Sequence, residues 1–196
     1  MDIREILAEL KRTIRTGWAI EGIEHPESVA DHTWGMTLLL LMAFDRLEVH
    51  GEGSLDRERA LKMAIVHDLQ EAITGDLVVG RSPEGMTREE KGRLEGEAER
   101  QILAAGGIGR LNELWDDYRR GESLEARLVK DMDRLEMALQ ALAYLERGEL
   151  RGEAVEPFLG TDEGYGTETG RSLYRELVVG RGRVASSGVV DDSAAG

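Results

Sequence analysis

The sequence predicts an all-α fold, a single bundle of about six to seven helices, and three observations point to it. Hydrophobic residues make up 41% of the chain while aromatics make up 5%, so the core must be built mainly from Leu, Ala, Val, Ile and Met, a palette that favours packed helices over sheets. Apolar residues recur at three- and four-residue spacing along most of the chain. Clusters of Gly, Ser and Asp punctuate those stretches. With 196 residues there is enough chain for one core and too little for two independent ones.

Ile3, Ile6, Leu7, Leu10 and Ile14 predict an amphipathic first helix over residues 2 to 14. Residues 15 to 28, with Gly17, Gly22 and Pro26, read as a loop. It ends at Ser28-Val29-Ala30-Asp31, where the Ser can cap a helix and the Asp suits its positive end; that second helix runs to about His50. Gly51, Gly53 and Ser54 mark a turn, and a third, continuous helix is expected from Asp56 to Thr74, stopped by Gly75. A loop over 75 to 86 carries Asp76, Arg81 and Pro83, and Thr87 with Glu90 forms a capping box for a charged, mostly solvated helix to Ala105. Gly106, Gly107 and Gly109 precede a shorter helix over 110 to 120, and Ser123 caps the helix over 124 to 147, whose apolar face runs through Leu128, Val129, Met132, Leu135, Leu139, Leu142 and Leu145. A last helix spans 168 to 179. Residues 1–179 then form the domain, and 180–196, rich in Gly, Ser, Ala and Asp without helical period, a flexible tail.

The formal net charge of -14 argues against a grip on a nucleic-acid polymer, which requires Lys and Arg to neutralise phosphates. Nucleotide partners should therefore be small molecules. Arg is the main cation available to clamp a phosphate, since only four of the 25 basic residues are lysine. The absence of cysteine excludes disulfides, restricts any metal site to His and carboxylate ligands, and suits the cytoplasm. No apolar run approaches the ~20 residues that span a bilayer, and none forms a signal core at the amino terminus.

His67 and Asp68 interrupt the apolar run Met63 to Leu69. An ionised carboxylate in apolar surroundings must pair, protonate or bind a cation. Taken alone, His67 reads as well as a satisfied core histidine, with Asp68 paired to an Arg. His32 reads as a cap or as a residue packed on Trp34, and Asp133 as a partner of Arg134 or Lys130. Jointly, these side chains place one potential ligand on each of three apolar helices, with Glu71 at i+4 from His67 and so on the same face. Two imidazoles and two carboxylates suit a borderline divalent ion with open positions for water and a phosphate oxygen.

The order His32, then His67-Asp68, then Asp133 resembles the pattern of the HD-domain phosphohydrolases. The stretches Arg15-Thr16-Gly17-Trp18, Glu27 to His32, His67-Asp68-Leu69-Gln70-Glu71-Ala72-Ile73-Thr74-Gly75-Asp76 and Val129 to Asp133 are similar to the 5'-deoxynucleotidase-like subfamily. The resemblance covers roughly residues 10 to 147 and adds little in the C-terminal quarter. It implies an HD-domain helical bundle, a homodimer, and a divalent metal, cobalt or manganese first, with magnesium, zinc and iron as further candidates. It further implies hydrolysis of deoxyribonucleoside 5'-monophosphates to deoxyribonucleosides and phosphate.

Matched by position, the resemblance makes His32, His67, Asp68 and Asp133 the metal ligands and Glu71 the acid/base, with orientation of His67 as the alternative role for Glu71. Arg15 would clamp phosphate, Trp18 would crowd a 2'-hydroxyl, and Asp76 would accept from the sugar; the bland alternatives are a helix end, a core indole and a loop cap. Lys130 could assist the phosphate or simply pair with Asp131 or Asp133, and ranks behind Asp76. Removing Asp68 is expected to relieve charge crowding when no ion is bound. The competing functions are hydrolysis of a cyclic nucleotide, a nucleoside triphosphate or an alarmone, and a non-catalytic nucleotide sensor that keeps its metal. No nucleophile elbow, P-loop or cysteine supports a covalent intermediate.

Overall fold

The structure, a computed structural model, describes residues 2–80, 86–105 and 111–180. The expected Arg81 and Pro83 loop positions, Gly106, Gly107 and Gly109, and the tail over 181–196 lie outside the described residues. The helices are α1 (Ile3–Leu10), α2 (Thr16–Ile20), α3 (Val29–His50), α4 (Arg57–Val66), α5 (Glu71–Thr74), α6 (Arg88–Ala105), α7 (Leu111–Arg120), α8 (Leu124–Glu146), α9 (Gly152–Leu159) and α10 (Glu168–Tyr174), the last continuing as a π-helical turn over Arg175–Val179. The fold is all-α. All the expected helices are present, the third in two pieces, and α2 and α9 are additions.

The helix starts follow local chemistry. Asp2 forms a capping box with Glu5 at α1, Ser28 with Asp31 at α3, and Thr87 with Glu90 at α6, while Ser123 caps α8. The first helix is shorter than its apolar spacing suggests because Ile14 leaves it to pair with Ser28 in an isolated antiparallel bridge. Around that bridge Arg15 N–H donates to Glu27 O at 2.9 Å and Val29 N–H to Thr13 O at 2.8 Å. Residues 15–28 are therefore a closed loop that seats α2 beside the start of α3.

Helix α8 is the centre of the bundle, packing on α3, α4, α7, α9 and α10. Its buried positions, among them Leu128, Val129, Met132, Leu135, Ala138 and Leu142, surround nearly the whole helix, as expected of a helix enclosed by others. Each fully buried Leu or Met contributes about 1.5–3 kcal/mol. A smaller apolar cluster of Trp18, Ile23, Ala141, Tyr144, Leu150 and Val155 joins α2, α8 and α9. Asp131, fully buried on α8, accepts from Gly166 N–H, Thr167 N–H and Thr167 Oγ1 at 2.6–2.8 Å, and Glu52 accepts from Glu168 and Thr169 N–H, so two carboxylates anchor the start of α10. Among the described residues no helix is long and apolar enough to cross a membrane.

Candidate active site and metal centre

The expected third helix breaks at the residues that matter most. After Val66 the backbone tightens into i to i+3 bonds, Leu69 N–H to Val66 O at 3.1 Å and Glu71 N–H to Asp68 O at 3.0 Å, before α5 resumes. Inside that turn the His67 ring takes a backbone acceptor: Nδ1 lies 2.8 Å from Ala64 O. A carbonyl only accepts, so Nδ1 carries a proton. The break also revises the spacing argument for Glu71, which reaches the site by opening α5 and not by standing at i+4 on one continuous helix.

His67 is 2% exposed and its Nε2 has no hydrogen-bond partner, although Asp68 Oδ2 lies 3.0 Å away. When the ring is neutral with its proton on Nδ1, it presents a lone pair at Nε2, facing a carboxylate oxygen across that gap. A lone pair and an anion facing each other in a buried site suit a cation between them. One ligand atom each from His32, His67 and Asp68 falls within 4.8 Å of the others. Asp133 stands outside that group of three and touches it through His32, its Oδ1 lying 3.1 Å from His32 Nε2. Three of the four residues expected to hold a metal thus converge from α3 and the α4–α5 turn, with Asp133 of α8 beside them, and their nitrogen and oxygen donors fit a divalent ion.

Electrostatics follow from the crowding. Burial alone would raise Asp68, but the His67 imidazole and the Arg15 guanidinium outweigh it and bring the carboxyl down to about 2. Burial likewise opposes ionisation of Asp133, which its bond to His32 and the nearby His67 and Arg15 charges hold below the usual carboxylate range. His32 would be lowered by burial, yet its bonds to Asp133 and Glu136 push it up to about 10. Asp68 is therefore a stabilised charge: the expected relief of crowding on its removal gives way to a loss, because Arg15 and His67 would lose their strongest partner.

A cavity of about 680 Å³ opens over this cluster. Arg15 lines it, its guanidinium 3.4 Å from Asp68 Oδ2 and 4.0 Å from Asp76 Oδ1. Gly75, at φ 70°, turns the chain so that Asp76 returns to α2, where Oδ2 accepts from Thr16 N–H at 2.7 Å. Asp76 is thus a cap with one oxygen and an Arg15 neighbour with the other. Trp18 is 2% exposed, packed on Tyr144 and Phe158, with Nε1 donating to Glu27 at 2.8 Å; it belongs both to the core and to the cavity wall. Glu71 is 3% exposed, and its unpartnered Oε2 lies in a carboxyl raised well above the usual range by burial and by Asp68 and Asp76.

Lys130, read as a phosphate contact or a partner of Asp131 or Asp133, donates to Arg119 O at 3.2 Å and lies over the Tyr118 ring, and it is not among the residues lining the cavity. Sequence reasoning missed Tyr118, whose hydroxyl donates to Asp133 Oδ2 at 2.9 Å, and Glu136, whose Oε2 lies 2.5 Å from His32 Nδ1. It also missed that Arg88, Lys91, Glu95 and Glu99, one face of a helix expected to be mostly solvated, line the cavity. Their i, i+3, i+7, i+11 spacing was the available signal.

Residues 7–163 match the family described as HD domain. The 5'-deoxynucleotidase HDDC2 of Danio rerio is 34% identical over 191 residues, 96% of this chain and 90% of that protein. The 5'-deoxynucleotidase HDDC2 of Dictyostelium discoideum is 39% identical over 149 residues, 74% and 76% of the two chains. Among solved structures, a conserved hypothetical protein from Pyrococcus furiosus superposes with a TM-score of 0.74 at 34% identity, covering 93% of this chain and 99% of that one. A Pyrococcus horikoshii protein gives 0.75 at 35% identity over the same shares. Family match, near-full-length relatives and a common architecture agree that this chain belongs to the HD domain family.

Proposed function

We propose that the chain is a divalent-metal-dependent 5'-deoxynucleotidase, hydrolysing deoxyribonucleoside 5'-monophosphates to deoxyribonucleosides and phosphate. The observation that carries this reading is the meeting, in one cavity, of the Arg15 guanidinium, the unpartnered His67 Nε2 and the unpartnered Glu71 Oε2. The names of the relatives support the substrate class. His32, His67, Asp68 and Asp133 would hold the ion, cobalt or manganese first, which when bound supplies Lewis acidity toward a phosphate oxygen and water.

The remaining chemistry belongs to the chain. Arg15 offers paired N–H donors to the phosphate oxygens, and its own charge is secured by Asp68 and Asp76. Glu71 Oε2 takes a proton from the attacking water as the water oxygen bonds to phosphorus; the phosphorus–O5' bond breaks and O5' takes that proton to leave as a hydroxyl. Trp18, fixed in orientation by Glu27, crowds C2' and so disfavours a ribose hydroxyl. Asp76 Oδ1 faces the sugar. Two copies pair through α3, whose Trp34, Leu38, Leu41 and Met42 form an exposed apolar stripe with Trp34 at 72% exposure. Residues 1–179 act as the catalytic domain, and a cytoplasmic setting fits a chain without cysteine.

The test is phosphate release from paired deoxyribo- and ribonucleoside 5'-monophosphates by metal-stripped protein reconstituted with cobalt, manganese, magnesium or zinc. Metal-dependent release favouring deoxy substrates is expected. Release from cyclic nucleotides or triphosphates with none from monophosphates would overturn the assignment.

A further inference from the structure

Glu136 lies one helical turn beyond Asp133 on α8, and between them the two carboxylates hold both nitrogens of one ring. His32 Nδ1 is 2.5 Å from Glu136 Oε2, and His32 Nε2 is 3.1 Å from Asp133 Oδ1. The ring itself is completely buried, and Glu136 is 8% exposed. A buried carboxylate is costly to keep without a partner, and the partner here is a side chain of the proposed metal centre.

The surroundings are shaped for this carboxylate. A Cβ at Gly35, on the facing turn of α3, would stand 2.8 Å from Glu136 Oε1 and 3.0 Å from its Cγ, too close for either to stay in place. Glycine in the interior of a 22-residue helix lowers stability by roughly 0.5–1 kcal/mol relative to alanine, so the gap it leaves for Glu136 is kept against local preference. Glu27 also approaches, and Glu27, His32 and Glu136 could by distance alone hold an ion of their own. Against that reading, His32 Nδ1 is already engaged by Glu136 and Glu27 Oε1 by Trp18 Nε1.

We propose that Glu136 is a positioning residue for the metal centre: its carboxylate accepts a hydrogen bond from His32 Nδ1–H, and so leaves Nε2 as the ring atom that faces Asp133 and is free to bind an ion when its proton leaves. This rests on the reading that these residues hold a divalent ion, and not on the identity of the nucleotide. A carboxylate behind an imidazole ligand fixes its tautomer and raises its basicity, and the loss of such a partner typically lowers metal affinity by about 10–100-fold.

The experiment is calorimetric titration of metal-stripped, full-length protein with cobalt(II) and no nucleotide, together with the imidazole 15N shifts of His32. Glu136→Ala should weaken cobalt binding by about 10–100-fold and shift the His32 Nδ1 resonance, because its N–H loses its acceptor. Glu136→Gln, whose amide oxygen still accepts from Nδ1–H, should keep that hydrogen bond and recover most of the affinity. Gly35→Ala displaces the carboxylate without removing it, should weaken cobalt binding in the same direction, and decides the question if Glu136→Ala does not fold. Parental cobalt affinity and unchanged His32 shifts in Glu136→Ala, or in Gly35→Ala where it stands alone, would overturn the proposal. Because no nucleotide is present, a failure of phosphate release would count against the proposed activity and leave this result intact.

Discussion

The two imidazoles of the centre are fixed by different means. His67 bonds the carbonyl of Ala64, three residues away, so its orientation comes from the turn that contains it. His32 is held by Glu136, 104 residues away on another helix. The first arrangement is local and rests on backbone, so no side-chain change at position 64 removes the acceptor. The second depends on tertiary packing and on one replaceable carboxylate. One half of the centre is thus robust to substitution and the other open to tuning.

The largest effect that tests this contrast belongs to the local half. Asp68→Ala should abolish cobalt-dependent phosphate release and also lower the melting temperature of the metal-free protein, since Arg15 and His67, which hold Asp68 at about 2, lose that partner. Retained activity in protein verified to lack metal would remove the centre from the mechanism. Glu71→Gln should slow turnover by about 100-fold or more while cobalt binding, measured by calorimetry, stays near parental; equal losses in both would make Glu71 a support for His67 instead.

In the tertiary half, Tyr118→Phe removes the 2.9 Å donor to Asp133 Oδ2. The loss of about 1.5–3 kcal/mol typical of a bond to a charged group sets its upper bound, so cobalt affinity should fall about tenfold. No change would show that Asp133 is held by His32 alone. The last test is pH dependence. His32 stands at about 10 in the folded metal-free protein against 6.5 ordinarily, and a raised histidine contributes stability that is full below the unfolded value and fades as pH rises through the folded one. His67 is raised too. The metal-free melting temperature should therefore decline between about pH 6.5 and 10, with a shallower slope in Glu136→Ala. A flat profile in both proteins would separate His32 from its carboxylates.

The same contrast explains what could be read without a structure. His67, Asp68 and Glu71 are contiguous, and polar residues in an apolar run stand out. Helices α3 and α8 announce themselves by period and cap. Glu136 does not, because a lone Glu among Leu135, Met137 and Ala138 is indistinguishable from a solvated helix position until α3 is placed against it. Tyr118 is hidden for the same reason. The break at His67 depends on a ring choosing a carbonyl, which no periodicity records. Helix α9 was obscured by Pro157 near its end and by glycines on either side, and α2 by Gly17 and by its five-residue length.

The 104-residue span between His32 and Glu136 has a thermodynamic consequence. An unfolded chain brings such distant groups together only rarely, so an ion bound by this centre would belong to the native state alone. Binding of that kind adds RT ln(1 + [L]/Kd) to the free energy of unfolding, about 2.7 kcal/mol at a hundredfold excess over Kd. Heat resistance would then report the ambient ion concentration, and chelation would act on this protein as a mild denaturant.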